Sequence, residues 1–286
     1  PVPLHPAIPR YLDVLFPRAN GRSLGGGVGE YQFTRTQPID EHFVQGRLDH
    51  RFASGDTTFG RYTTSNGKVD RQPTAKPPIA FTRESSRNQY ATVDHRHLFT
   101  PHLLGTTRGG FNRSVSLADN VRTIDIPPDM SWIPGEPFGY LTVQGMVTEM
   151  AGDYRLPRND HLNNFQWDQT LFWTKGRNDI KVGVQGQYLQ FDQDTTSQRG
   201  GILTFTSLAN FLQGTVQNAD FAVKGKIDPI RNYRQQFWGF FAQDDLRWRP
   251  NLTMNLGVRY EFVTTPTEAN GKISNLRRVT DTALTV

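Results

Sequence analysis

The 286 residues suffice for one large domain or two ordinary ones, and 32 Lys+Arg against 27 Asp+Glu leave a formal charge of +5. Only 36% of residues are apolar and mean hydropathy is −0.58, yet aromatics reach 12%, which excludes a helical membrane protein and argues against disorder. The basic excess is spread along the chain, so no nucleic-acid partner is expected, and the absence of cysteine rules out disulfides and thiolate metal sites.

Twenty-six glycines and 18 prolines suit a turn-rich β protein. The longest uncharged run, Gly200 to Ala219, carries Thr204, Thr206, Ser207, Asn210, Gln213 and Asn218 and is too polar for a spanning helix. Pro1 to Arg10 has neither the basic nor the apolar stretch of a signal peptide, and no methionine starts the chain, so an internal piece of a longer protein is expected.

In chain order, residues 1–30 hold five prolines and Gly25-Gly26-Gly27-Val28-Gly29 and read as loop; the glycines lack the Lys-Ser/Thr of a phosphate loop. A strand is predicted at Tyr31 to Thr36. Glu41 to Phe52 then alternates, with Val44, Gly46, Leu48, His50 and Phe52 on one face and Gln45, Arg47, Asp49 and Arg51 on the other. After the turn Ser54-Gly55-Asp56 the chain returns over Thr57 to Thr64. A polar connection, Ser65 to Ser85, leads to a second hairpin, Ser86 to Phe99 and Leu103 to Ser114, around Thr100-Pro101-His102. Residues 115–160 read as irregular. A third hairpin pairs His161 to Thr174 with Asp179 to Phe191 around Lys175-Gly176-Arg177-Asn178. Asp192 to Asn232 is a long excursion with one helical turn at Leu208 to Leu212.

The last hairpin, Gln235 to Phe262, turns at Arg249-Pro250-Asn251. Its second strand puts Leu252, Met254, Leu256, Val258, Tyr260 and Phe262 on one face and Thr253, Asn255, Gly257, Arg259 and Glu261 on the other. Eleven residues with one apolar face exceed the usual globular strand and match a tilted membrane-spanning one. Trp238 and Trp248 stand where interfacial aromatics would. Residues 264–286 begin a further loop. A soluble sandwich could carry this hairpin too. The connections favour a barrel: short turns at 54–56, 100–102, 175–178 and 249–251 alternate with long polar connections at 65–85, 115–160 and 192–232, the asymmetry of outer-membrane barrels.

Phe240-Phe241-Ala242-Gln243-Asp244-Asp245, followed by Leu252-Thr253-Met254-Asn255-Leu256-Gly257-Val258-Arg259-Tyr260-Glu261, resembles the "AQDxW…LTLNLGLRYE" hairpin of TonB-dependent outer-membrane receptors. The subgroup with an N-terminal carboxypeptidase-regulatory-like domain is the nearest. Gly46-Arg47-Leu48-Asp49-His50-Arg51-Phe52, Thr58-Phe59-Gly60-Arg61-Tyr62, Leu171-Phe172-Trp173-Thr174-Lys175-Gly176, Lys181-Val182-Gly183, Phe205-Thr206 and Phe211-Leu212-Gln213-Gly214 are similar to segments of that subgroup. The likeness covers most of residues 31–265; no plug, energy-coupling box, regulatory-like domain or terminal aromatic strand is matched.

The resemblance implies an all-β antiparallel up-and-down meander, residues 1–286 forming part of a transmembrane β-barrel with long extracellular loops in the outer membrane. About nine or ten strands are expected, against roughly 22 in plugged transporters. In that barrel Ile180, Val182, Val184, Leu252, Met254, Leu256, Val258 and Tyr260 face lipid, and Lys181, Gln185, Gln187, Thr253, Asn255, Arg259 and Glu261 line the lumen. Implied partners are outer-membrane lipid, a small solute such as a siderophore or oligosaccharide, and the TonB complex acting through a plug. Trp132, Phe138 and Tyr140 on the loops are candidate ligand contacts. The alternative is a soluble or surface β-sandwich that binds glycans.

No catalytic constellation and no cofactor site is expected. Asp244 and Asp245 alternate in direction on a strand and cannot both face one substrate. His95-Arg96-His97 puts two histidines on one face, but spacing supplies no third ligand, so solvated or interfacial histidines are expected there. Ser114, Ser116 and Ser207 form no nucleophile elbow.

Overall fold

A computed structural model describes residues 2–72, 77–195, 198–221, 228–274, 278, 280 and 282. Eight long strands form one antiparallel wall in sequence order: β1 Ile39–Arg51, β2 Thr57–Arg71, β3 Ala80–Thr100, β4 Leu103–Arg122, β5 Arg158–Lys175, β6 Asn178–Asp194, β7 Ile230–Arg249 and β8 Leu252–Val263. Each pairs with its sequence neighbours, and the short strand Thr267–Glu268 extends the β8 edge by pairing with Tyr233 and Arg234. All four predicted hairpins are present. No helix among the described residues is long and apolar enough to cross a membrane.

The tight turns follow from local chemistry. Gly176 takes φ 63° at the first position of the two-residue β5–β6 turn, the positive φ that a type II′ hairpin demands there. Pro101 and Pro250 cannot donate to a ladder. Beside each of them the register shifts, between Leu98 and Thr100 and between Arg247 and Arg249.

Four expectations need correction. Tyr31 to Thr36 is not a strand; Ser23–Gly25 pairs with Val28–Gly29 just before it instead. Residues 1–30 are not all loop, because α1 (Ile8–Leu15) sets Ile8, Tyr11, Leu12 and Leu15 on one helical face. The wall strands run further than alternation suggests: β2 continues to Arg71, β3 begins at Ala80 and β4 reaches Arg122. Beyond the apolar zone β2 and most of β3 are polar on both faces, and β4 keeps only Val115, Leu117 and Val121 on one face, so hydropathy carries little signal there, while the backbone ladder continues regardless. Finally, 115–160 is not irregular throughout, because β4 runs on to Arg122 and Tyr140–Val143 and Val147–Met150 are strands, while 192–232 holds the expected helical turn at Leu208–Leu212 together with strands Ile202–Phe205 and Asn218–Asp220.

The long connections pool at one end of the wall into a compact unit. A four-stranded sheet joins Asn218–Asp220, Ile202–Phe205, Tyr140–Val143 and Val147–Met150, with a parallel pair between Ile202–Phe205 and Tyr140–Val143. Around it pack α1, the 3-10 turn Pro128–Met130 and α2 (Leu208–Leu212), whose Ser207 side chain accepts from the N–H of Asn210 at 3.2 Å, as an N-cap should. Leu15, Leu141, Val143, Met150 and Phe211 are at most 1% exposed in its interior. The described part of 264–286 beyond Thr267–Glu268 is not strand, and the rest of that predicted loop lies outside the described residues.

Candidate functional site

Directly opposed residues of an antiparallel sheet share a face, so the register sorts the wall into two sides. One side gathers Leu252, Met254, Leu256, Val258, Tyr260 and Phe262 of β8 with Leu246, Ala242, Phe240 and Trp238 of β7. Ile180, Val182 and Val184 of β6 continue it, followed by Trp173 and Leu171 of β5. Every residue predicted to face lipid therefore lies on one side. Leu256 is 52% exposed and Val258 69%, with no second layer over them among the described residues. Two glycines accommodate large rings on this surface: a side chain on Gly105 would strike Phe99, and one on Gly186 would press on Trp238.

The apolar side has a sharp upper limit. Tyr62, Ala91, Phe111, Phe165 and Tyr188 form a row across β2 to β6, with Phe111 and Phe165 rings 5.0 Å apart and Phe165 and Tyr188 rings 6.3 Å apart. One step further from the turns, the row reads Thr64, Gln89, Arg113, Asn163, Gln190 and Arg234. From the turns through the aromatic row run six residues of β2 and nine to eleven of β3 to β6; the longer spans match what a tilted strand needs to cross hydrocarbon. Asp244 interrupts this side near the turns, where Asn178 donates to it. Asp245 is on the opposite side, beside Asn255, as alternation requires.

The other side carries most of the wall's charge, with Phe59, Phe172 and Phe241 among its polar residues. Asp49, Phe59, Asp94, Arg108, Asp168, Gln185, Gly239 and Glu261 form one continuous row from β1 to β8. Within it Asp94, 1% exposed, holds Arg108 at 2.8 Å and Arg96 at 3.4 Å. Burying a carboxylate so fully is tolerable only because two guanidinium groups face it. At the β6–β8 end, Arg259 donates to Glu261 at 2.6 Å and to Gln185 at 3.1 Å. Lys181 stands 5.3 Å from the Phe172 and Phe241 rings, and the Phe241 ring lies over Gly183. Lys181, Gln185, Gln187, Thr253, Asn255, Arg259 and Glu261 thus share this side. The structure brings Gln185, Arg259 and Glu261 into contact and leaves Thr253 near Arg247 and Asn255 near Asp245. Sequence reading missed Asp94, Arg108 and Asp168 because the row exists only once every strand pairing is known.

The loop aromatics are placed differently from expectation. Phe138 (4% exposed) and Tyr140 (7%) are interior residues of the loop unit, not free faces for a ligand. Trp132 packs on Phe138 at 4.9 Å and donates its indole N–H to the Tyr11 hydroxyl at 3.0 Å. Burial pushes the Tyr140 phenol above its ordinary pKa, and its hydroxyl accepts from Asn120 and donates to the Leu156 carbonyl. The exposed aromatic pair is instead Tyr31 and Phe33, stacked at 6.0 Å over a recess of about 420 Å³ that Leu24, Phe16 and Met146 also line.

One group among the described residues brings metal-ligand atoms within 4.8 Å of one another: Asp56, His95 and His97. The third member comes from the β1–β2 turn, which spacing along β3 could not reveal.

Residues 2–285 match the model of a family described as an outer membrane beta barrel domain. A search of curated proteins finds no match. Among solved structures, the chain is similar to the outer membrane transporter YddB from Escherichia coli, at 13% identity and a TM-score of 0.54, over 88% of this chain and 31% of that one. The chain thus spans about a third of the length of that transporter.

Proposed function

Since this chain belongs to the outer membrane β-barrel domain family, we propose that it forms part of the wall of an outer-membrane receptor that binds and imports a solute, without catalysis. The carrying observation is the two-sided wall: one side is mostly apolar between turns and aromatic row, and the other carries a continuous cross-strand row that includes Asp49, Asp94, Arg108, Asp168 and Glu261. In this reading Ile180, Val182, Val184, Leu252, Met254, Leu256, Val258 and Tyr260 meet lipid. Leaving such side chains in water would forgo about 1.5–3 kcal/mol each. Lys181, Gln185, Gln187, Thr253, Asn255, Arg259 and Glu261 line a hydrated interior, where paired charges can exchange partners with a passing solute or a plug at small cost. Tyr31 and Phe33 offer a solute its first flat surface.

Energy coupling through TonB is the finer reading, supported by the resemblance of the Phe240 to Glu261 hairpin to that receptor family. A glycan-binding sandwich would need a second sheet over Leu256 and Val258, which the described residues do not supply. The test uses the full-length protein in its own cell. We expect it in the outer-membrane fraction with heat-modifiable gel mobility, and solute uptake that stops when the inner-membrane coupling complex is deleted. A full-length protein that stays soluble would overturn the barrel reading; uptake indifferent to that deletion would remove only the coupling.

A further inference from the structure

We propose that Asp56, His95 and His97 form a binding site for a divalent transition-metal ion of the zinc class, at the turn end of the wall. His95 and His97 are two apart on β3 and so project to the same, apolar side, where Thr58 of β2 lies opposite His95. The β1–β2 turn carries Asp56 up to them: its Oδ2 lies 2.9 Å from Nδ1 of His97. The carboxylate is held in place, accepting from the N–H of Leu98 at 3.2 Å and from the Ser54 hydroxyl at 3.0 Å, and its side chain is 14% exposed. The Thr58 hydroxyl, 2.7 Å from Nδ1 of His95, fixes that ring. Hydrogen bonds of this kind behind the ligands are what orient metal sites.

The geometry is near what an ion requires. Metal–nitrogen and metal–oxygen bonds near 2.0–2.1 Å set tetrahedral ligand atoms about 3.3 Å apart, and the three ligand atoms already lie within 4.8 Å. Closing the site needs displacements of about 1.5 Å or less, within reach of side-chain rotation. Two imidazoles and one carboxylate suit zinc, copper or nickel rather than calcium or magnesium, and three protein ligands leave a fourth position for water. Phe99 packs edge-on to His97 at 4.4 Å and Phe52 to His95 at 6.5 Å, so an aromatic ring flanks each imidazole. His97 is 43% exposed, so an ion can reach it. Bound there, it ties the β1–β2 turn to β3. The inference is independent of what the receptor imports.

The full-length protein, purified in detergent and stripped with chelator, is titrated calorimetrically with zinc chloride at neutral pH. His95→Phe, His97→Phe and Asp56→Asn are compared with wild type; phenylalanine retains an interfacial ring and removes only the ligand. We expect one equivalent of zinc to be lost in each histidine variant and affinity to fall at least tenfold in D56N. His42→Phe, on the same side at the far end of β1, should bind as wild type does. Cobalt(II) should give tetrahedral visible absorption in wild type and lose it in H97F. Unchanged stoichiometry in the His95→Phe/His97→Phe double variant would overturn the site, as would no zinc binding by wild type, which would leave the two histidines as interfacial rings only. If a histidine variant fails to insert, D56N decides: retained affinity there overturns the proposal.

Discussion

The wall and the loop unit are built from one chain on opposite principles. In the loop unit Phe211, Leu141 and Met150 are at most 1% exposed, and apolar side chains converge from segments far apart in sequence, as in any water-soluble core. In the wall the large apolar residues of β8 stay exposed, and the groups that meet are polar, culminating in Asp94 between two arginines. The difference teaches where each part finds its solvent. The loop unit excludes water by burying its own apolar side chains; the wall leaves one side apolar and uncovered among the described residues and gathers its charge on the other.

The largest effect tests the loop unit. Phe211→Ala should cost about 3–5 kcal/mol by cavity formation. Hydrogen exchange should show faster opening of Tyr140–Val143 and Ile202–Phe205, with β5 and β6 still protected. Equal loss of protection in the wall would mean that the two regions fold as one. Gly139→Ala should act in the same direction, because its new methyl would meet the carbonyl oxygens of Gly200 and Gly201.

Next comes a paired substitution across the wall. Val182→Arg places a charge midway along the apolar side and should cost about 2–4 kcal/mol of folding into lipid vesicles. Gln187→Arg, five residues along β6 and on the polar side, should fold as wild type does. Equal costs would contradict the two-sided assignment.

A smaller effect is expected from the half-exposed Arg259–Glu261 pair. Arg259→Ala should change stability by about 0–1 kcal/mol, with a double-mutant cycle against Glu261→Ala measuring the coupling. A much larger coupling would show that the interior is drier than the row of charges implies.

The smallest effect is a pH response confined to the loop unit. Arg10, donating two hydrogen bonds at 2.6 Å, holds the Asp129 carboxyl below its usual range. A carboxylate with a depressed folded-state pKa stabilises above the unfolded value, about 3.9, and that contribution disappears as pH falls through the lower folded one. Acidification below about pH 4 should therefore loosen the contact between α1 and Pro128–Met130, and Asp129→Asn should abolish that dependence. Amide exchange of α1 against pH would decide it.

Legibility followed the solvent. The four hairpins could be read because an apolar side and a polar side force a period of two, and Leu252 to Phe262 displays it without interruption. Where β2, β3 and β4 run beyond the aromatic row, polar residues predominate on both sides, too few apolar ones such as Val115, Leu117 and Val121 remain to mark a period, and the strands read as loop until the backbone ladder reveals them. Helix α1 was hidden by the prolines around it, although Ile8, Tyr11, Leu12 and Leu15 carry a helical stripe. Trp132, Phe138 and Tyr140 were legible as aromatics in loops; that they pack into the loop unit depends on α1 and on 198–221 folding over them.

Taken alone, the order of amino acids determined the strand type, the short turns at one end and the side to which each residue of β6 and β8 points, because alternation is a property of neighbours along the chain. Tertiary structure decided which residues of different strands share a row: Asp94 beside Arg108, Gln185 beside Arg259, Asp56 beside His95 and His97. Such meetings depend on register across strands and on the reach of turns, and a one-residue slip in any pairing would move every partner to the other side of the wall.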